Sequence, residues 1–444
     1  MKKLSAIIAL LSLAFAAQTA AAQQGSLTIE ECYGAAERNY PLVRQYGLIT
    51  KARDYTLANA ARAYLPQVTL SGKASWQSDV TKFSIDEEKY SQTPYAAMIS
   101  ADDLNSLFPI ISKDQYGAAL EVTQTIWDGG VVKAQRTAAK AEADAQSSEL
   151  DASLYGLREK INELYFGIIL MDANLEQYGT LISSLETNLE RVESYKNNGV
   201  VGQADVDALK IHLLDARQQM MELSGNRAAF VKMLSLLTGL EIDPGCTLQR
   251  PAAIESFSAE NTRPELAAFD AQIRQIEAQN QLITASLTPK FGLYATGGYG
   301  RPGLNMLDNS FQPYFIGGVR MSWNIGNFYN AKSNRQLLET RKASTESRRD
   351  AFLLNAGIDS SRRSGEIETL KGQMQYDDEI IALRESLVRA NEANIAEGTI
   401  SGSELAGFMD DLLRARQVKN THEVKLLMAM YNLAYVQGQE QTQK

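Results

Sequence analysis

Apolar residues recur along this chain with two distinct periods. Near residues 66–78 the alternation is strict. Val68, Leu70, Gly72, Ala74 and Trp76 fall on one side, and Gln67, Thr69, Ser71, Lys73 and Ser75 on the other. Successive side chains of a strand point to opposite faces, so this segment predicts a strand with one apolar and one wet face. The pattern returns near 290–300, with Phe291, Leu293, Ala295, Gly297 and Tyr299 on one side. It returns again near 313–325, where Phe315, Gly317, Val319, Met321 and Trp323 oppose Tyr314, Gly318, Arg320, Ser322 and Asn324. A fourth segment, near 115–127, alternates less cleanly. Each run is about 10–12 residues, the length a tilted strand needs to cross a bilayer. Trp76, Trp127, Tyr299 and Trp323 sit toward the ends, where amphipathic rings suit a membrane interface. A soluble sandwich with one wet face has the same alternation, so strands alone leave both readings open.

The second period is helical. From Leu154 the apolar positions run Leu157, Ile161, Leu164, Ile168, Met171, Leu175, Tyr178, Ile182, Leu185, Leu189 and Val192, in steps of three and four. Such a heptad seam predicts a left-handed coiled coil. A second seam runs Val206, Leu209, Leu213, Ala216, Met220, Leu223, Phe230, Leu234 and Leu237, broken by Arg227. A third places Leu405, Phe408, Leu412, Ala415, Leu426, Ala429, Leu433 and Val436 in equivalent slots, with Lys419 and His422 as gaps. The long helix expected over about 328–396 keeps the pattern less well.

The two periods occur in the same order twice. Leu65-Pro66-Gln67 and Thr288-Pro289-Lys290 each end a helical stretch and begin an alternating one. Asn198-Gly199-Val200-Val201-Gly202-Gln203-Ala204-Asp205 is echoed by Glu397-Gly398-Thr399-Ile400-Ser401-Gly402-Ser403-Glu404. The sequence therefore predicts an internal two-fold repeat. Its expected parts are a leader over 1–22, a first repeat over 23–238 with its tip near 199, and a linker over 239–262. A second repeat over 263–438, with its tip near 398, and a tail over 439–444 complete it. A single helix over 130–198 would be on the order of 100 Å long at 1.5 Å per residue. The helices expected near 28–63 and 203–238 are each roughly half that. Four strands cannot close a barrel, and an open edge in lipid is forbidden. If the strands cross a membrane, two or more chains must share one barrel.

Composition narrows the class. Lys2 and Lys3 precede an apolar run from Leu4 to Ala17, and Ala20-Ala21-Ala22 offers a small-residue cleavage site, the grammar of a secretory leader. Its removal leaves 42 basic against 53 acidic residues, a formal charge of −11. An acidic chain is a poor binder of nucleic acid. Mean hydropathy is −0.25, which argues against a bundle of membrane helices. Cys32 and Cys246 are the two cysteines, and an oxidising compartment would permit a bridge between them. His212 and His422 lie inside helical patterns without metal-ligand spacing. Gly298-Tyr299-Gly300-Arg301-Pro302-Gly303 follows a strand but leads into no helix, so it reads poorly as a phosphate loop. Asp102-Asp103 and Asp377-Asp378 read as surface charge. No catalytic, cofactor or metal residues are expected.

These segments, in this order, resemble the TolC-like outer membrane factors. Glu31-Cys32-Tyr33-Gly34-Ala35-Ala36-Glu37-Arg38-Asn39-Tyr40-Pro41 is similar to the family's N-terminal helix start. Pro66, the strand exit Ile126-Trp127-Asp128-Gly129-Gly130, the Gly-Val-Val tip and the ending Tyr431-Asn432-Leu433-Ala434-Tyr435-Val436-Gln437-Gly438 match as well. The resemblance implies a homotrimer, an α+β membrane protein with a 12-stranded transmembrane β-barrel continuous with a periplasmic α-helical coiled-coil barrel. It implies an exit channel in a tripartite efflux pump or type I secretion system. The partners would be a periplasmic adaptor, an inner-membrane transporter of RND or ABC type and outer-membrane lipid. It also implies a gate at the coiled-coil tips. Asp205 and Glu404 fall at two of the family's acidic positions, while Gly407 stands where a further acid is usual. Ile395 and Ile400 replace the Tyr and Arg that lock the best-known member. Gly199, Val200, Val201, Gly398 and Thr399 would be the adaptor-docking tips. Helix capping is an equal reading of both acids. The rival from another class is a periplasmic coiled-coil spacer, which has no reason to keep four strands at one membrane-crossing length.

Overall fold

The computed structural model describes residues 26–81, 84–107, 111–258 and 260–439. The expected leader over 1–22 lies outside them, as does all but the first residue of the tail. The described chain is mostly helical, with one small antiparallel sheet. Its helices are α1 (Ile29–Asn39), α2 (Arg44–Arg62), the short α3 (Glu87–Ser91) and α4 (Ala101–Ser106), α5 (Val131–Tyr155), α6 (Leu157–Asn197), α7 (Gln203–Thr238), α8 (Pro264–Ser286), α9 (Asn327–Ala396) and α10 (Gly402–Gln437). Its strands are β1 (Gln67–Trp76), β2 (Asp114–Trp127), β3 (Lys290–Arg301) and β4 (Gln312–Ser322). No helix among the described residues is long and apolar enough to cross a membrane. Two compact units emerge, and each draws on both expected repeats. One comprises Gly47–Ala145 and Asp270–Thr345; the other takes the chain through Tyr46, Gln146–Phe269 and everything from Glu346.

The first unit carries the sheet, ordered β1-β2-β3-β4 with every neighbour antiparallel. A bulge between Thr125 and Trp127 skips Ile126 and returns Trp127 to the row of Phe291. That slip accounts for the break in alternation at the end of the second strand, where Ile126 and Trp127 are both apolar. Asp128 ends β2 and starts α5. Its carboxylate accepts from the Gly130 and Val132 amides and from the Tyr64 hydroxyl (2.8 Å).

The second unit is built on the heptad seams. Leu181, Leu185, Val192, Val206, Leu209, Leu213, Leu405 and Met409 are buried together, drawn from α6, α7 and α10. Two expected helices are interrupted. The helix expected over 28–63 breaks at Pro41, which lacks an N–H and pushes Tyr40 to extended backbone (ψ 135°). The helix expected over 130–198 is interrupted for one residue at Gly156, a poor helix former whose amide still donates to Ala152 (3.2 Å). By contrast α9 runs unbroken for 70 residues.

The gaps in the seams are polar ties. Arg227 pairs with Asp172 and donates to the carbonyls of Pro244 and Cys246, fixing the linker to the helices. His422 Nδ1 lies 2.8 Å from Asp377, and Lys419 pairs with Asp378. Asp377 is therefore a buried partner, not the surface charge expected of it. Cys32 and Cys246 are free thiols. Burial pushes the Cys32 thiol up to about 12.

Candidate functional site

The register decides what the sheet can face. Residues directly opposite on antiparallel strands share a face. Leu70, Leu120, Gly297 and Phe315 form one row, and Val68, Val122, Ala295 and Gly317 the next. The intervening rows are Gln67, Thr123, Tyr294 and Gly318, then Thr69, Glu121, Thr296 and Ile316. All four apolar sets thus coincide on one side, and Ile316 is an apolar residue on the other. Among the described residues nothing covers the apolar side: Leu70 is 77% exposed, Phe315 71% and Val319 69%. A continuous uncovered apolar face of this kind marks a surface meant for lipid or protein.

Aromatic side chains sit toward both ends of that face. Trp127 packs on Phe291 (ring centroids 5.8 Å) and Trp323 on Phe328 (6.3 Å) at one end. Tyr299 stacks on Phe311 (5.7 Å), with Trp76 and Tyr116 exposed, toward the other. The outer edges of β1 and β4 have no strand partner among the described residues.

The tips are two copies of one turn. Gly199 and Gly398 take left-handed φ values of 76° and 69°, a conformation that favours glycine. Each follows a helix C-terminus, where the next residue's amide reaches back: Val200 donates to the Tyr195 carbonyl (2.9 Å) and Thr399 to that of Asn394 (3.1 Å). Val200 and Thr399 are exposed, and Val201 is half-buried against the seam core.

Both candidate gate acids cap helices. Glu404 closes a capping box on α10, accepting from the Ser401 amide (2.8 Å) and hydroxyl (2.9 Å) while the Glu404 amide donates to Ser401 Oγ (3.2 Å). Those bonds hold its carboxyl below the usual glutamate value, and the side chain stays exposed. Asp205 has no serine to pair with. One carboxylate oxygen accepts from its own N-cap, Gly202 N (3.1 Å), and the other from Gly402 N (2.9 Å), which opens α10. One side chain therefore joins the N-termini of α7 and α10. Gly402 is required there, because a Cβ would stand 2.5 Å from the Asp205 carbonyl oxygen. That contact has no periodic signal and is invisible in the sequence. Ile395 is 2% exposed within the core of its own tip, whereas Ile400 is half-buried at the tip's edge. Around Gly407 the space is open, so an acid would fit there.

Comparison with known proteins gives these features a family. Residues 32–240 and 257–439 match the outer membrane efflux protein family. Among curated proteins no sequence matches. Solved structures do match in shape. The outer-membrane channel OprN is 14% identical, with 92% of this chain aligned to 89% of that one at a TM-score of 0.66. The outer membrane protein VceC from Vibrio cholerae is 15% identical over 92% of this chain and 96% of its own, at 0.64. The open state of the Neisseria gonorrhoeae MtrE outer membrane channel is 14% identical over 92% and 88%, at 0.60. At such identities the likeness establishes the fold, and the family match, which spans most of the chain, establishes kinship. The chain belongs to the outer membrane efflux protein family.

Proposed function

We propose that three copies of this chain form the exit duct of an efflux or secretion machine. The family places the protein in the outer membrane as a transporter rather than an enzyme. In the proposed trimer, each copy contributes four strands to a 12-stranded barrel, with the apolar face in lipid and the polar face on a water-filled lumen. The observation that carries this reading is the register: it gathers every apolar strand set on one side and leaves two bare edges. Bare edges in hydrocarbon cost several kcal/mol for each unpaired backbone group, so β1 of one copy must meet β4 of the next. The aromatic ends fit the girdles of such barrels.

The seam helices form the proposed periplasmic tunnel, and the tips its mouth. Asp205 and Glu404, present three times each, would form an acidic ring there, with Ile400 adding apolar contact between copies. Gly199, Val200, Val201, Gly398 and Thr399 would dock a periplasmic adaptor, through which an inner-membrane transporter of RND or ABC type delivers cargo. The two-fold repeat is part of this reading. It is supported by ion pairs at matching places, Arg217 with Glu186 and Arg416 with Glu385, and by the paired glycine turns. Mass measurement of the purified protein in mild detergent tests the assembly. A trimer is expected; a monodisperse monomer with intact strand signal would overturn it.

A further inference from the structure

We infer that Gly298 and Gly318 set the bore of the barrel by letting two tyrosines lie flat against its wall. The inference rests on the proposed lumenal orientation of the polar face. On that face the register pairs Tyr294 of β3 with Gly318 of β4, and Gly298 of β3 with Tyr314 of β4. The two pairs are reciprocal, each strand giving one tyrosine and one glycine. A Cβ added at Gly298 would lie 2.3 Å from the Tyr314 ring, and one added at Gly318 would lie 3.2 Å from the Tyr294 ring. Each ring therefore rests across the neighbouring strand, over the spot where a side chain would otherwise stand.

Strand side chains ordinarily stand roughly perpendicular to the sheet. Aromatics of the apolar face keep most of their surface: Phe315 is 71% and Tyr299 55% exposed. Tyr294 and Tyr314 are half-buried, although among the described residues there is no second sheet to pack on the polar face. Their cover is the strand beneath and, for Tyr294, a strap above. The Arg320 guanidinium sits 4.7 Å from the Tyr294 ring centroid, and Glu121 on β2 draws it across at 3.2 Å. Tyr294 is thus held between the Gly318 backbone and a cation, a favourable pairing for an aromatic face. In a trimer, six rings folded down in this way leave a wider lumen than six standing rings. The size limit of the barrel for cargo then depends on two glycines that touch no cargo themselves.

Thiol labelling tests this in the reconstituted full-length protein. Thr296, on the polar face between the two pairs, is changed to cysteine in a Cys246→Ser background. Leu293→Cys reports the apolar face. A small charged maleimide and polyethylene-glycol maleimides of increasing mass are then applied from the water. The small reagent should label Thr296→Cys and spare Leu293→Cys. Adding Gly298→Val or Gly318→Val should slow the large reagents several-fold while the small one keeps its rate. Combining Gly298→Val with Tyr314→Ala should restore large-reagent labelling, and this double variant also serves if the single valine assembles poorly. Unchanged large-reagent rates in the valine variants would overturn the inference and leave the lumenal orientation standing. Failure of the small reagent to reach Thr296→Cys would overturn the orientation, and the inference with it.

Discussion

Replacing Asp205 with alanine should loosen both tips at once. The side chain has two backbone clients, Gly202 N on its own helix and Gly402 N on α10. Losing an acid from the first turn of α7 costs about 0.5–1 kcal/mol through the helix dipole. The second loss is larger, because the Gly402 amide is part-buried against Asp205 and would be left without its acceptor. An orphaned donor of that kind costs about 1–3 kcal/mol. Together the change should cost roughly 1.5–4 kcal/mol, confined to the region where α7 and α10 begin.

The assay is amide hydrogen exchange, which reads local opening directly. A cost of that size should speed exchange of the first-turn amides of both helices, Val206 and Leu405 among them, by roughly 10- to 900-fold. Amides of β1–β4 should not change. Asp205→Asn keeps one carbonyl oxygen and should lose about half as much, since one of the two bonds survives. Unaltered exchange around Leu405 would refute the argument, because it would mean that the bond to Gly402 contributes nothing to holding α10.

Three further outcomes follow from the same geometry. Leu70→Asp or Leu293→Asp should each cost roughly 2 kcal/mol or less in a lipid-facing row and reduce assembled trimer on a gel, while Thr69→Asp on the wet face should be tolerated; equal tolerance would defeat the barrel. Asp205→Asn combined with Glu404→Gln should lower cation selectivity in a planar bilayer, since a ring of like charge concentrates counter-ions; an unchanged ratio would leave both acids as helix caps alone. The lowered pKa of Glu404 means that its folded form holds the charge better than the unfolded chain does. Its stabilisation of α10 is therefore present above the ordinary glutamate range and is lost as the pH falls through its folded value. Protection of the amides at the start of α10, taken relative to their intrinsic exchange rate at each pH, should fall on acidification, and Glu404→Gln should flatten that dependence.

What could be read from the sequence follows its two periods. Strands and seams rest on repeated choices at many positions, so Val68 to Trp76 and Leu154 to Val192 announce themselves. Single-residue events do not. Gly156 interrupts a helix without disturbing the heptads on either side, and the bulge at Ile126 shifts the alternation by one residue only at the strand's last position. The seam gaps at Arg227, Lys419 and His422 were visible as exceptions, but their partners Asp172, Asp378 and Asp377 lie 55, 41 and 45 residues away. No local rule links residues at such separations. The Tyr–Gly pairs of β3 and β4 were hidden for another reason. Gly298 and Gly318 read as gaps in a polar face until the register sets a tyrosine opposite each.

The two tips show how a small divergence redirects a side chain. Each presents an acid three residues after its N-cap, Asp205 after Gly202 and Glu404 after Ser401. On α10 the serine completes the box: its hydroxyl serves the Glu404 amide, and the carboxylate turns back on Ser401. That acid is spent within its own helix. On α7 the cap is a glycine, which brings no hydroxyl. Its amide takes one oxygen of Asp205 and leaves the other unclaimed. The shorter aspartate lies close to the helix start, and the absence of a Cβ at Gly402 lets the α10 backbone come near enough to donate to the free oxygen. Three residues that differ between the tips, Gly202 for Ser401, Asp205 for Glu404 and Gly402 for Gln203, thus turn two separate caps into one cap and one clamp. The clamp ties two helices whose starts are 199 residues apart, so movement of either tip at the proposed mouth is felt by both.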